Sequence, residues 1–250
     1  MIIDKRTRHR LEATTRFTDL REFDAIESTN TYLLAEAKGG APEGVVAIAD
    51  YQRAGRGRLG RTWTAAPGAS LLASILLRPS GLAADRRHLL TSAVGLAALS
   101  AVESVAGVVV ELKWPNDLLL RDRKVAGILA EAEGDAVVVG LGVNVTSAPP
   151  GAAALNEAAG RAIDRGQLLE ALLIDLDGCY GRWDDVAATY RDRCATVGRE
   201  VRVDLPGRIL TGLAEGINDR GHLMVRPSGG GEVVEVTAGD DVHVRPAGSR

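Results

Sequence analysis

The chain has 250 residues, 46% of them hydrophobic and 25% charged, with a formal net charge of −3. That length supports one or two domains with a core large enough to need no disulfide or metal staple. The balance excludes a disordered tail protein and a collagen-like fibre, and it argues against a general nucleic-acid binder while leaving room for a local basic patch. No run of about 18 apolar residues suggests a membrane span, and the first residues, MIIDKRTRHRLEATTRF, lack the apolar stretch of a signal peptide. Cys179 and Cys194 make neither a disulfide framework nor a zinc cluster, and the four histidines are widely spaced. A cytoplasmic protein without structural metal is expected. Only four of the 30 basic residues are lysine, two of them Lys113 and Lys124.

Residues 1–20 show little periodicity and read as a short extension. STNTYLLAEAK, from Ser28 to Lys38, reads as a helix that Ser28 or Thr29 can cap, broken by Gly39, Gly40 and Pro42. Strands are expected over 45–51 and 70–79, separated by a Gly/Arg loop, and a helix over 83–105. Four close-set strand candidates follow at 108–114, 117–121, 124–132 and 135–145, and their spacing favours antiparallel hairpins. Residues 165–195 read as two helices broken near Gly181. Beyond Val197–Gly198, short strands with turns at Asn218–Gly221 and Gly229–Gly231 predict a small β barrel.

Five segments offer chemistry. Gln52-Arg53-Ala54-Gly55-Arg56-Gly57-Arg58-Leu59-Gly60-Arg61 contains a literal GxGxxG, but Pro67 and Gly68 follow where a dinucleotide fold needs a helix. Four arginines in nine residues repel unless an anion collects them, and the glycines let backbone amides approach a ligand. The plain alternative is a solvated basic loop. Lys113-Trp114-Pro115-Asn116-Asp117 gathers a lysine, an amide and a carboxylate at a turn; Asp117 suits Mg²⁺, and the plain alternative is an Asn-Asp bend. Lys124 opens a strand expected to be buried on both faces, where it needs an anionic partner. Gly127 in the same strand suits close approach of a ligand. Gly140-Leu141-Gly142-Val143-Asn144 is a Gly-rich strand end with one amide. Ser28-Thr29-Asn30 offers hydroxyls, an amide and helix N-terminal amides, or only a helix cap.

In this order, STN, YQRAGRGRLGRTW, KWPND, DRKVAGIL and GLGVN resemble the biotin protein ligases, over residues 24 to about 145. The resemblance implies an α+β fold: a mixed sheet flanked by helices, of class II tRNA synthetase type, and an SH3-like carboxy-terminal barrel. The domains are then 1–197 and 198–250. It also implies a reaction. Biotin's carboxylate attacks the α-phosphate of ATP with Mg²⁺ assisting, giving biotinyl-5'-AMP, and a lysine of the biotin carboxyl carrier protein then takes the biotin.

Carried onto this chain, the family's biotin-binding positions are Ser28, Thr29, Asn30, Gln52, Arg56, Gly57, Arg58, Lys124 and Gly127. Its catalytic positions are Lys124, Arg56 and Arg58. Its ATP-binding positions are Arg56, Arg58, Arg61, Lys113, Asn116, Asp117 and Asn144, with Asp117 as the metal ligand. Only 27 residues precede Ser28, too few for the winged DNA-binding domain of some members, so no DNA contact by that route is expected. A family-like homodimer through exposed strands fits the resemblance. The competing functions are a lipoate or octanoate ligase, a non-catalytic biotin sensor and, more remotely, an NAD oxidoreductase.

Overall fold

A computed structural model describes residues 2–205, 207–237 and 241–244. The chain opens with helix α1 (Lys5–Thr14), capped by the Asp4 carboxylate, and strand β1 (Asp19–Phe23). Helix α2 (Thr29–Lys38) and strands β2 (Val45–Ala49) and β3 (Ser70–Leu77) follow, then helix α3 (His88–Ala106). Strands β4 (Glu111–Lys113), β5 (Asp117–Leu120), β6 (Arg123–Glu133) and β7 (Ala136–Asn144) form the antiparallel run that their spacing predicts. Helices α4 (Leu155–Ala159), α5 (Arg165–Cys179) and α6 (Trp183–Arg193) complete the larger part.

Seven strands make one mixed sheet in the order β1-β2-β3-β7-β6-β5-β4. The β1–β2 pair alone is parallel. Side chains alternate across it with the period of two that a pleated strand imposes. Val46 and Ile48 of β2, Leu71, Ala73, Ile75 and Leu77 of β3, and Val137, Val139, Leu141 and Val143 of β7 face the main core. That face carries α3, with α5 and α6 packed on α3 and α1 on α5. The other face carries α2, over Val45, Ala47, Leu76 and Val138. Beyond α2's first turn this second face runs out of bulk, because β7 continues with Gly140, Gly142 and Asn144. The resulting hollow is where most of the sequence-selected residues gather.

Strands β8 (Glu200–Leu205), β9 (Arg208–Ile217), β10 (Leu223–Pro227), β11 (Val234–Val236) and β12 (Asp241–Val244) form the expected second unit. It is a curled antiparallel sheet ordered β11-β10-β9-β8-β12. Residues 206, 238–240 and 245–250 of the 198–250 segment lie outside the described residues.

Three expectations change. Residues 2–20 are more than a short extension: Ile3, Leu11 and Phe17 are fully buried in the main core, and Arg16 binds Asp177 of α5 at 2.6 Å and lies over the Tyr180 ring. Anchors spaced eight and six residues apart hide from a periodicity scan. Regular strand structure over 108–114 is confined to β4, with Val109 exposed. The helix over 83–105 divides into a 3₁₀ turn at Ala84–Arg86 and α3, which ends on left-handed Gly107. Although α3 is apolar and long enough for a membrane-crossing helix, most of it is buried inside the protein. As a core helix it meets both sheet and helices, so it needs no polar stripe.

Candidate active site

Three hollows meet on the α2 face. The first, of about 470 Å³, is lined by Ser28, Thr29, Asn30, Gln52, Arg56, Gly57, Arg58, Ser74, Lys124, Gly127, Gly140 and Gly142. The second, of about 440 Å³, is lined by Thr62, Thr64, Asn144, Pro149 and Ala152. The third, of about 610 Å³, is strongly basic, with Arg58, Arg61, Lys113, Asn116 and Asp117, and Val242 from the second sheet. Trp63 and Lys124 line all three.

The start of α2 builds the floor of the first hollow. The Ser28 hydroxyl accepts from the Thr31 N–H as the helix cap. The Thr29 N–H donates to Gln52 Oε1 at 2.8 Å, which joins the helix to the residue where the loop begins. Ser74 Oγ lies 2.6 Å from Thr29 Oγ1 and 2.6 Å from Asn30 Oδ1. The Asn30 amide in turn donates to the Leu129 carbonyl at 3.2 Å and to Glu131 Oε2 at 3.0 Å. Ser28, Thr29, Asn30 and Ser74 are all buried, so every polar contact here acts at low dielectric and is correspondingly costly to leave unmade.

The Gly/Arg loop is a short folded ribbon. Trp63 N–H donates to Gly55 O at 3.0 Å and Gly57 N–H to Arg61 O at 2.7 Å, around a tip at Leu59 and Gly60 with positive φ. No helix opens at Gly60, which leaves the dinucleotide motif without its phosphate-binding partner. Gly55 must be glycine, because a Cβ there would sit 2.4 Å from the Trp63 carbonyl. Arg165 clamps both stems, donating to Asp50 Oδ1 at 2.7 Å and to Ser70 O at 3.2 Å. Within the protein the four arginines face different groups. Arg53 faces Glu27 at 3.6 Å, Arg56 binds Glu131 at 2.9 Å, Arg58 donates to Asn116 Oδ1 at 2.6 Å, and Arg61 lines the basic hollow. A strand-like ribbon sends neighbouring side chains in opposite directions.

The ribbon returns Trp63 to the sheet, where the cross-strand pair Gly127 and Gly142 receives its indole. A Cβ on Gly142 would lie 2.5 Å from the ring, and one on Gly127 would lie 3.0 Å from it. The buried Trp63 Nε1 has no acceptor among the described residues.

Lys124 reaches this point through a bulge. Leu118 pairs with Ala126 but Leu119 pairs with Lys124, so Val125 is an extra residue on β6. Without it Lys124 would point to the opposite face from Gly127. With it, the ammonium lies 2.7 Å from Asp117 Oδ1 and 5.7 Å from the centre of the Trp63 ring. The expectation of a strand buried on both faces is corrected: β6 alternates, and the Lys124 side chain is 41% exposed. Its predicted need for an anionic partner is met by Asp117. Asn116 is tied to β6 in both directions, donating to Ile128 O at 2.7 Å and accepting from Ile128 N–H at 2.9 Å.

Every candidate binding or catalytic position therefore lines one of the three hollows, and Arg53 of the loop lines none. Asn144 stands apart from the first, buried, with its amide on Ala153 O at 3.2 Å. Trp63, Ser74 and Glu131 were not among the selected residues, and Gly140 and Gly142 were read only as part of a Gly-rich strand end. A lone serine in an apolar strand and a glutamate at a ligand-facing parity of β6 are faint signals, readable only once the sheet faces are assigned. Among the described residues no group of three or more His, Cys, Asp or Glu side chains could hold a metal ion. Asp117 offers one carboxylate, which fits Mg²⁺ only where phosphate oxygens and water complete the shell.

Residues 22–144 match the model of the biotin/lipoate A/B protein ligase family, and residues 196–243 match the biotin protein ligase C-terminal domain. The chain is 42% identical over 241 residues to the biotin–[acetyl-CoA-carboxylase] ligase of Mycobacterium tuberculosis, covering 90% of each chain. It is 36% identical to the enzyme of that name from Paracoccus denitrificans, over 83% of this chain and 94% of the relative. Its fold superposes on the biotin protein ligase of Aquifex aeolicus in complex with biotin and ATP, with a TM-score of 0.78 and 26% identity. That match covers 92% of this chain and 100% of the other.

Proposed function

This chain belongs to the biotin protein ligase family, and we propose that its three hollows divide the two ligands of that reaction at Lys124. The enzyme is an ATP-dependent biotin protein ligase. It joins biotin's carboxylate to the α-phosphate of ATP, releasing pyrophosphate and forming biotinyl-5'-AMP. A lysine amine of the acceptor then attacks the adenylate's carbonyl, forming an amide and releasing AMP. We assign the acceptor as the biotin carboxyl carrier protein of an acetyl-CoA carboxylase, after the activity named for the relatives. The division into 1–197 and 198–250 is proposed on the sheet change between β7 and β8.

The observation that carries the assignment is the position of Lys124 at the junction of all three hollows. The first takes biotin: its neutral ureido ring needs hydrogen bonds without net charge, and Ser28, Thr29, Asn30 and Gln52 supply them. The second takes the adenosine, against Asn144 and Trp63. The third takes the phosphates, between Arg58, Arg61 and Lys113. Biotin's carboxylate and the α-phosphate then meet beside Lys124. Two unit charges about 4 Å apart at an effective dielectric near 20 repel by roughly 4 kcal/mol. A cation placed in advance offsets that cost, and does so most where charge builds in the transition state. Asp117 holds the ammonium until phosphate replaces it and, among the described residues, is the carboxylate lining the third hollow that could meet Mg²⁺ arriving on ATP. The Arg56–Arg58 ribbon encloses the mixed anhydride and keeps water from it.

The polar floor also favours biotin over lipoate or octanoate, whose aliphatic bodies would leave its hydroxyls and amides unmatched. Exchange of labelled pyrophosphate into ATP, offered biotin, lipoate and octanoate separately, tests the assignment. Exchange with biotin alone is expected, and Lys124→Gln should remove most of it while biotin still binds. Exchange with another acid alone overturns the ligand, and binding of biotin without exchange leaves a sensor.

A further inference from the structure

The mechanism above leaves Glu131 unused, although it touches both the loop and the floor of the biotin hollow. Its side chain is 20% exposed, with Oε1 on Arg56 at 2.9 Å and Oε2 on the Asn30 amide at 3.0 Å. A carboxylate can only accept, and a guanidinium can only donate. Asn30 must therefore turn its NH₂ towards Glu131 and the Leu129 carbonyl, and its oxygen towards Ser74. The Ser74 hydroxyl has one proton and gives it to Asn30 Oδ1 at 2.6 Å. Thr29 then shares its one proton between Ser74 Oγ at 2.6 Å and Gln52 Oε1 at 3.1 Å, the shorter contact being the one to Ser74. The chain of bonds runs in one direction, from Thr29 through Ser74 to Asn30 to Glu131. It leaves the second lone pairs of Asn30 Oδ1 and Thr29 Oγ1 as acceptors.

We propose that Glu131 is a positioning residue for the biotin subsite, fixing the Asn30 amide and, through Ser74, the direction of the hydroxyl chain, so that the floor presents acceptors to the ligand's ureido N–H groups. Reversed, the floor would set the Asn30 NH₂ against those N–H groups, donor against donor. The inference rests on the assignment of the first hollow to biotin. It explains why an acidic residue stands in a site built for anions: Arg56 neutralises it, and its value lies in being acceptor-only.

Glu131→Gln separates this role from mere packing. The shape is kept, but glutamine has one oxygen, which can serve Arg56 or Asn30 and not both. Ser74→Ala cuts the chain at its middle and leaves the Glu131–Arg56 pair in place. Biotin Kd by titration calorimetry, alongside the KM for biotin and for ATP in pyrophosphate exchange, reads the outcome. Each single variant should weaken biotin about tenfold, the loss of one oriented bond, with the ATP KM held within twofold. The double variant should be no more than about threefold worse than the weaker single, because both changes disable one chain. Effects that multiply in the double variant, an unchanged biotin Kd in Glu131→Gln, or a parallel loss of ATP binding would overturn the role. Wild-type protein that binds biotin without exchange fails the ligase reading alone, and Kd still decides on Glu131. Wild-type protein that binds no biotin overturns both.

Discussion

Adding one methyl group at Gly142 should disable the site without touching a charged or polar group. A Cβ there would stand 2.5 Å from Trp63 Cε2, 2.7 Å from Cζ2 and 2.9 Å from Cδ2. Carbon atoms sit comfortably at about 3.5 Å or more, so the indole must move by roughly 1 Å. It cannot move into the sheet, and the space open to it is the ligand hollows that it lines. The strain of such overpacking is typically about 1–3 kcal/mol, which corresponds to roughly 5- to 140-fold in affinity. Gly142→Ala should therefore weaken biotin and ATP together, because Trp63 lines both hollows. The assay is biotin Kd by calorimetry with KM values from pyrophosphate exchange. Gly216→Ala, where nothing lies within 4 Å of the new Cβ, serves as the neutral control. Shortening the ring tests the cause. In a Trp63→Leu background the alanine at 142 should cost less than about threefold. Wild-type affinity in Gly142→Ala, or an equal penalty in both backgrounds, would refute the argument that a missing Cβ seats the indole.

Other expectations concern the loop, the amino terminus and the contact between α3 and the second sheet. Arg58→Gly removes the 2.6 Å bond to Asn116 and opens the ribbon tip, so biotinyl-5'-AMP should escape and label lysines non-selectively, as read by blotting bystander protein; unchanged retention contradicts enclosure by the ribbon. Leu11→Ala empties a fully buried position and should cost about 2–5 kcal/mol, read as a fall in Tm of several degrees, whereas a loose extension would show none. His88 packs on Gly221 of the β9–β10 turn, and burial, then Arg86, His222 and Arg191, hold its pKa below the ordinary 6.5 against the Asp85 carbonyl. Its folded form resists protonation, so the contribution is whole above pH 6.5 and is lost as the pH falls through the lowered value. Thermal melts at stepped pH should show His88→Gln losing less stability than wild type on acidification below 6.5, and parallel curves would remove His88 from the linkage.

The sequence carried the local parts of this fold because their causes are local. Ser28 caps α2 through its own third neighbour, Gly107 ends α3 by adopting a left-handed φ, and antiparallel neighbours follow from short connections. What stayed hidden depends on pairs distant in the chain. Trp63 needs glycine at both 127 and 142, two positions that meet only because β6 and β7 pair in one register. Lys124 shows the limit most sharply. Its type and its need for an anion were readable, yet strict alternation from Gly127 would turn it to the helix side, away from Asp117. The extra residue Val125 reverses that parity. Val125 and Ala126 are consecutive and both lie in the main core, which a regular strand could not allow. A bulge leaves almost no mark in composition, since its cost falls on one unpaired backbone step. The same step lets the motif's lysine and aspartate, seven residues apart, share one face of the sheet. Chemistry that reads as two separate motifs, KWPND and DRKVAGIL, is thereby one ion pair, and the residue that joins them is a valine.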